Sequence, residues 1–170
     1  MGTSLKLHKK MVSEVKEIHF ADTPQLQSYT STSWSNFGPK RLITHEDIAA
    51  FGALTQNQQW IHDDATRCEQ EGPYGAIIAH GLYILTLIPS LLPEESFRVV
   101  GHMQRIVRGC NHFRFPAPAY PGEHVHARVK LTNVQKAVSG KGVILTREVE
   151  VSAARRQTPV AVATFLLQYF

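Results

Sequence analysis

From Ile77 to Leu92 the chain is apolar nearly all round. A helix without a polar face has to be covered on every side. The stretch is shorter than the roughly 20 residues that span a bilayer, and it carries His80 near its start and Pro89 near its end. It reads as the buried helix of a soluble protein with no membrane partner. From Phe97 onward the period changes to two. Val125, Ala127, Val129 and Leu131 alternate with polar residues, as do Val143, Leu145, Val149 and Val151, with Arg147 breaking the alternation. Val160 to Tyr169 is apolar on both faces, as a central strand is. Turn clusters fall at Pro116–Gly122 and Ser139–Gly142, and the second joins two long strands as a hairpin. A buried helix followed by antiparallel strands is α+β, a curved sheet packed around the apolar helix.

Upstream, Thr44 is a natural N-cap with Asp47 in the capping-box place. Ile48, Phe51 and Leu54 follow at helical spacing, and Gly52 weakens the middle of that helix. The polar stretch Thr55–Gln59 ends it, Trp60–Asp64 is an ordered loop, and Asp63 or Asp64 caps a short helix through Cys68. Glu71–Gly75 is a turn cluster. Nearer the N-terminus, Met11, Val12, Val15 and Ile18 fit a short amphipathic helix that Asp22–Thr23–Pro24 stops, and Ser28–Asn36 is mostly polar. Residues 1–35 read as an extension in which no function is visible.

The 170 residues suit one domain. The net charge of +4 is spread over pairs such as Lys9–Lys10 and Arg155–Arg156, not gathered in the basic stripe that marks nucleic-acid binding. Cys68 and Cys110 are too few for a disulfide framework, and no apolar stretch of signal-peptide length follows the basic N-terminus. The expected compartment is the cytoplasm.

Two stretches carry chemistry. Thr55-Gln-Asn-Gln-Gln-Trp-Ile-His62 and Gly72-Pro-Tyr-Gly-Ala-Ile-Ile-Ala-His-Gly81 resemble paired motifs of the MaoC-like (R)-specific enoyl-CoA hydratase family, nearest to its nodulation protein N subgroup. Asn111-His-Phe-Arg-Phe-Pro-Ala-Pro118 resembles a third family stretch. The resemblance implies a hot-dog fold over residues 36–170, a homodimer or higher homo-oligomer with its active site near the subunit interface, and a thioester substrate on coenzyme A or an acyl carrier protein. It implies no cofactor beyond the coenzyme A of the substrate.

Hydrating a 2-enoyl thioester needs a water made nucleophilic, a proton delivered to C2, and a donor for the charge on the thioester oxygen. An imidazole suits the proton work, and an N–H at a helix N-terminus suits the oxyanion. Carried over from the resemblance, His62 is the acid–base histidine, Gly81 supplies the N–H, and Asn57 stands where the family has aspartate. An amide orients a water but accepts no proton at neutral pH. Three readings stay open: His62 works alone with Asn57 positioning the water, Asp63 or Asp64 replaces the carboxylate, or the site binds thioesters without turning them over. Solvated capping is the preferred role for the two aspartates. A thioesterase on the same fold is a further alternative, but the helix carboxylate it relies on is not found here.

Gln59, Trp60 and Ile61 are read as pocket wall and His80 as a residue beside the substrate that hydrogen-bonds nearby backbone. Arg114 is a candidate partner for a coenzyme A phosphate, with Arg105, Arg108 and Lys40 as equal candidates. His124 and His126 form an H-x-H pair on a strand. The apolar residues between and after them define the inward face, so both are expected in solvent, and no metal site is assigned.

Overall fold

The computed structural model describes residues 15–170. In chain order, strand β1 (Lys16–His19) and helix α1 (Thr23–Gln27) lead to β2 (Arg41–Leu42) and α2 (His45–Thr55). A 3-10 turn (Trp60–His62), α3 (Ala65–Glu71) and α4 (Gly81–Leu91) follow. The rest is sheet: β3 (Phe97–Val100), β4 (Arg105–Arg114), β5 (His124–Lys136), β6 (Val143–Ala153) and β7 (Thr158–Tyr169). The main sheet is antiparallel in the order β2-β5-β6-β7-β4, and it curls around α4. This is the expected α+β hot-dog architecture. No helix among the described residues is long and apolar enough to cross a membrane.

Helix α4 buries Tyr83, Ile84, Leu87, Ile88 and Leu91 against Val125, Val149 and Val151 of the sheet. Leu82, Thr86, Pro89 and Ser90 are exposed, so the single chain does not cover the helix on every side as its apolar run suggests. Each fully buried Leu, Ile or Val contributes about 1.5–3 kcal/mol. The helix begins at Gly81, four residues later than its apolar pattern suggests. The segment before it is pulled out of helical geometry by sideways bonds: the N–H of Ile78 donates to the carbonyl of Ile61 at 3.1 Å, and that of Ala79 to Ala119 at 2.8 Å. His80 is therefore the N-cap residue in extended conformation, and not part of a first helical turn.

The N-terminal region differs most from expectation. Met11 and Val12 lie outside the described residues. Lys16–His19, where a helix was expected, pairs in parallel with Phe97–Val100 as β1 on β3. Asp22 starts a helix where a stop was expected, its carboxylate accepting from the N–H of Gln25 at 3.1 Å with Pro24 in the first turn. Ile18 and Leu26 are fully buried in a second core with Phe97, Leu131, Leu145 and Tyr169. The polar run after α1 covers the free edge of β5, donating from Ser31 to Leu131, Ser35 to Val129 and Gly38 to Ala127.

That cover also corrects the reading of the H-x-H pair. His124 is exposed, but His126 is buried because Phe37 of the covering segment stacks on its ring at 3.8 Å. Arg147 faces inward as alternation requires. It lies between Leu145 of the second core and Val149 of the first, with only 5% of its side chain exposed.

Candidate active site

Thr44 caps α2 as read, its hydroxyl accepting from the N–H of Asp47 at 3.0 Å. At the other end Gln56 takes the left-handed conformation, with φ +54°, and turns the chain into the polar loop. The N–H of Asn57 donates back to Gly52 at 3.0 Å. The 3-10 turn then closes through the N–H of His62 and the carbonyl of Gln59 at 2.9 Å, and Asp64 caps α3 on Arg67. A turn at Gly72–Gly75, with Gly75 at φ +67°, returns the chain to the start of α4.

The two motif stretches are clamped together at Ile78. Its N–H donates to Ile61, and its carbonyl lies 2.7 Å from Nδ1 of His62. A carbonyl only accepts, so Nδ1 carries the proton and Nε2 of His62 presents a lone pair. The His62 ring stacks on the His80 ring with centroids 3.6 Å apart. Burial pushes the pKa of His62 below its ordinary value and His80 adds to the fall, against the Ile78 carbonyl and Asp63, which raise it.

His80 is 3% exposed. Its Nε2–H donates to the backbone carbonyl of Asn57 at 2.9 Å, while Nδ1 is buried without a partner. It thus joins residue 57 to residue 62 and makes no side-chain capping bond to α4, which leaves the first N–H groups of that helix as donors. Gly52 makes the joint possible. A Cβ there would stand 3.3 Å from the Asn57 carbonyl oxygen and 3.4 Å from His80 Cε1. What reads as a weak point in α2 is where the Asn57 carbonyl, held by His80, comes closest to the helix.

Gly81 lies under the ring of Phe115, whose carbons are 2.7–2.8 Å from where a Cβ would stand. Phe115 was missed in the sequence, although it sits in the Asn111–Pro118 stretch beside Arg114. Arg114 is exposed at the end of β4. Strand alternation puts it on the face opposite Phe113 and Phe115, whose rings lie 5.7 Å apart, and its Nη1 donates to the Phe113 carbonyl at 2.8 Å. Asn57 and Gln59 are exposed. Ile61 is half-buried, and Trp60 packs on the main core with the Arg67 guanidinium 4.5 Å from its ring centre. The structure therefore links Asn57, Ile61, His62 and His80 through backbone and ring contacts, with Gly81 next along the chain.

Comparison with known proteins identifies the family. The MaoC like domain family matches residues 32–153. The chain is 38% identical over 130 residues to 3-hydroxyacyl-thioester dehydratase Z of Mycobacterium tuberculosis (strain ATCC 25618 / H37Rv), covering 75% of this chain and 82% of that protein. It is 30% identical over 114 residues to Nodulation protein N of Rhizobium meliloti (strain 1021), covering 64% and 68%. Among solved structures, a monoamine oxidase regulatory protein from Archaeoglobus fulgius superposes with a TM-score of 0.70 over 91% of this chain and 97% of that one, at 21% identity. The family model spans most of the chain, and the chain belongs to the MaoC-like dehydratase and hydratase family.

Proposed function

We propose that this protein is a hydro-lyase that reversibly adds water to a trans-2-enoyl thioester to give the (R)-3-hydroxyacyl product. The observation that carries the reading is the tautomer of His62. Its Nδ1–H is committed to Ile78, so Nε2 is a base beside the uncapped start of α4. Nε2 takes a proton from water as the water oxygen bonds C3. The C2–C3 π pair moves toward the carbonyl, and the enolate oxygen accepts from the Gly81 N–H. The imidazolium then returns its proton to C2. Asn57 orients the water, a role an amide can fill. The chemistry requires no cofactor, and coenzyme A or a carrier protein enters only with the substrate.

We assign the working unit to a homodimer. Among the described residues strand β4 closes one end of the sheet without a neighbour and exposes Ile106, Val107 and Phe113, which favours pairing along that edge. A reducing, cytoplasmic setting accords with unpaired Cys68 and Cys110.

One observation favours a second reading, an acyl-thioester-binding protein with impaired turnover: residue 57 has no carboxylate. The test is hydration of crotonyl-CoA, followed as loss of enoyl absorbance. Turnover that disappears in His62→Ala supports the first reading. Acyl-CoA binding without turnover, with activity appearing in Asn57→Asp, supports the second.

A further inference from the structure

The other end of α4 holds a feature that the proposed chemistry does not use. Arg147 and Glu95 form a bidentate pair: Nη1 donates to Oε1, and Nη2 to Oε2 at 2.8 Å. Nε of Arg147 is buried without a partner among the described residues. Burying a guanidinium is expensive even when it is paired, and an apolar residue of similar size commonly serves stability as well. Arg147 stands at a position where the strand pattern calls for such a residue.

The pair lies between two clefts. On one side a cleft of about 430 Å³ runs along Leu85, Ile88, Leu92, Val149, Phe165 and Leu167. On the other, a cleft of about 330 Å³ lies among Tyr29, Trp34, Phe97 and Leu131. Pro93, Glu95 and Arg147 line both. Leu85 and Ile88 stand four and seven residues beyond Gly81, so these two lining residues share the helix face that begins at Gly81, and Leu92 follows as the C-cap residue. From Gly81 to Leu91 the helix is about 15 Å long.

We infer that the Arg147–Glu95 pair is the end wall of an acyl-binding cleft and limits acyl length to medium chains. This rests on the function proposed above. An alkyl chain gains about fourfold in affinity for each methylene it buries against the apolar lining. A methyl end that reaches the ion pair meets charges it cannot satisfy, and the gain stops there. With the pair removed, the first cleft opens into the second and longer chains gain again.

The test uses the full chain and straight-chain saturated S-acyl-pantetheines, whose pantetheine arm is common to coenzyme A and carrier proteins. Calorimetry measures binding from butyryl to palmitoyl without requiring turnover. The wild-type affinity is expected to rise about fourfold per methylene and level off at medium length. Two variants, Arg147→Met and the double variant Arg147→Met/Glu95→Ala, move the plateau to longer chains, and either one that keeps the wild-type melting profile decides the matter. Ser33→Trp, at an exposed position lining the second cleft, restores the shorter limit in the double variant. A plateau at the same length in wild type and variants, or no plateau in wild type, overturns the assignment of the wall. Failure of the folded wild-type protein to bind any chain length instead overturns the function on which it rests.

Discussion

The two ends of α4 each hold a buried polar cluster, and they differ in how their bonding capacity is used. At the C-terminal end the guanidinium of Arg147 and the carboxylate of Glu95 consume each other's charge. At the N-terminal end two stacked imidazoles spend one nitrogen each on a backbone carbonyl, Ile78 for His62 and Asn57 for His80, and each ring keeps a second nitrogen. Polar groups that satisfy one another shape and close a space. A half-buried ring that keeps an unused lone pair has something left for a substrate. The head of the helix is where chemistry is expected and the tail is where selection is expected.

Substitutions at the two ends should separate these roles. His62→Ala removes the proposed base, and its kcat for crotonyl-CoA is expected to fall by about 10²–10⁴. The side chain is half-buried with a single hydrogen bond, so urea denaturation should show a loss of only about 1 kcal/mol. Arg147→Ala is expected to do the reverse. It leaves a cavity and strands Glu95, and breaking such a pair costs about 3–5 kcal/mol of stability. Turnover of short substrates by the protein that remains folded should be close to wild type. If Arg147→Ala abolished crotonyl-CoA turnover in folded protein while His62→Ala retained it, the contrast between the ends would be reversed.

A smaller effect tests how tightly the head is packed. In Gly81→Ala the new methyl meets the Phe115 ring, which has to move. Overpacking of this kind costs about 1–3 kcal/mol. Because Phe115 is 40% exposed, its ring has room to give, which places the expected loss at the low end of that range. Phe115→Leu in the same chain should restore much of the melting temperature. Restoration of stability without restoration of turnover would show that the position of the Gly81 N–H, and not fold integrity, is what the reaction needs.

Much of this was legible before the structure. The apolar helix, the strand alternation and the Thr44 cap rest on local spacing, which a sequence displays directly, whereas the motif histidines were named through the family resemblance. The missed features depend on distant partners. Lys16–His19 is a strand because Phe97–Val100 lies beside it, and no local pattern announces a parallel neighbour. His126 is buried because Phe37 crosses it. Gly52 was visible as an anomaly within α2, but its reason, the Asn57 carbonyl held by His80, lies outside that helix. Arg147 was visible as a break in alternation, and Glu95 explains it only once the chain folds. Within the site, His62 and His80 could be named separately, whereas their stacking follows from the Ile61–Ile78 clamp.

The last and smallest effect is in pH. Burial and the neighbouring His80 ring hold the pKa of His62 below its ordinary value, and burial with Lys40 and Arg128 nearby does the same for His126. The unfolded chain therefore binds these protons more readily than the folded one. Stability from both groups is full above the unfolded pKa of about 6.5 and declines as pH falls through that value toward the lower folded ones. Melting temperature should thus drop on acidification below about pH 6.5, and part of the drop should vanish in His126→Gln, which keeps a polar side chain under Phe37. The rate follows the same sign, because the base form of His62 survives to lower pH than a solvent-exposed histidine. The acid limb of kcat/KM for crotonyl-CoA should accordingly fall below about pH 6.5 in the wild type. In His80→Phe the ring stack persists without the second imidazole, so the limb should move upward. An unmoved limb would assign the lowered pKa of His62 to burial alone.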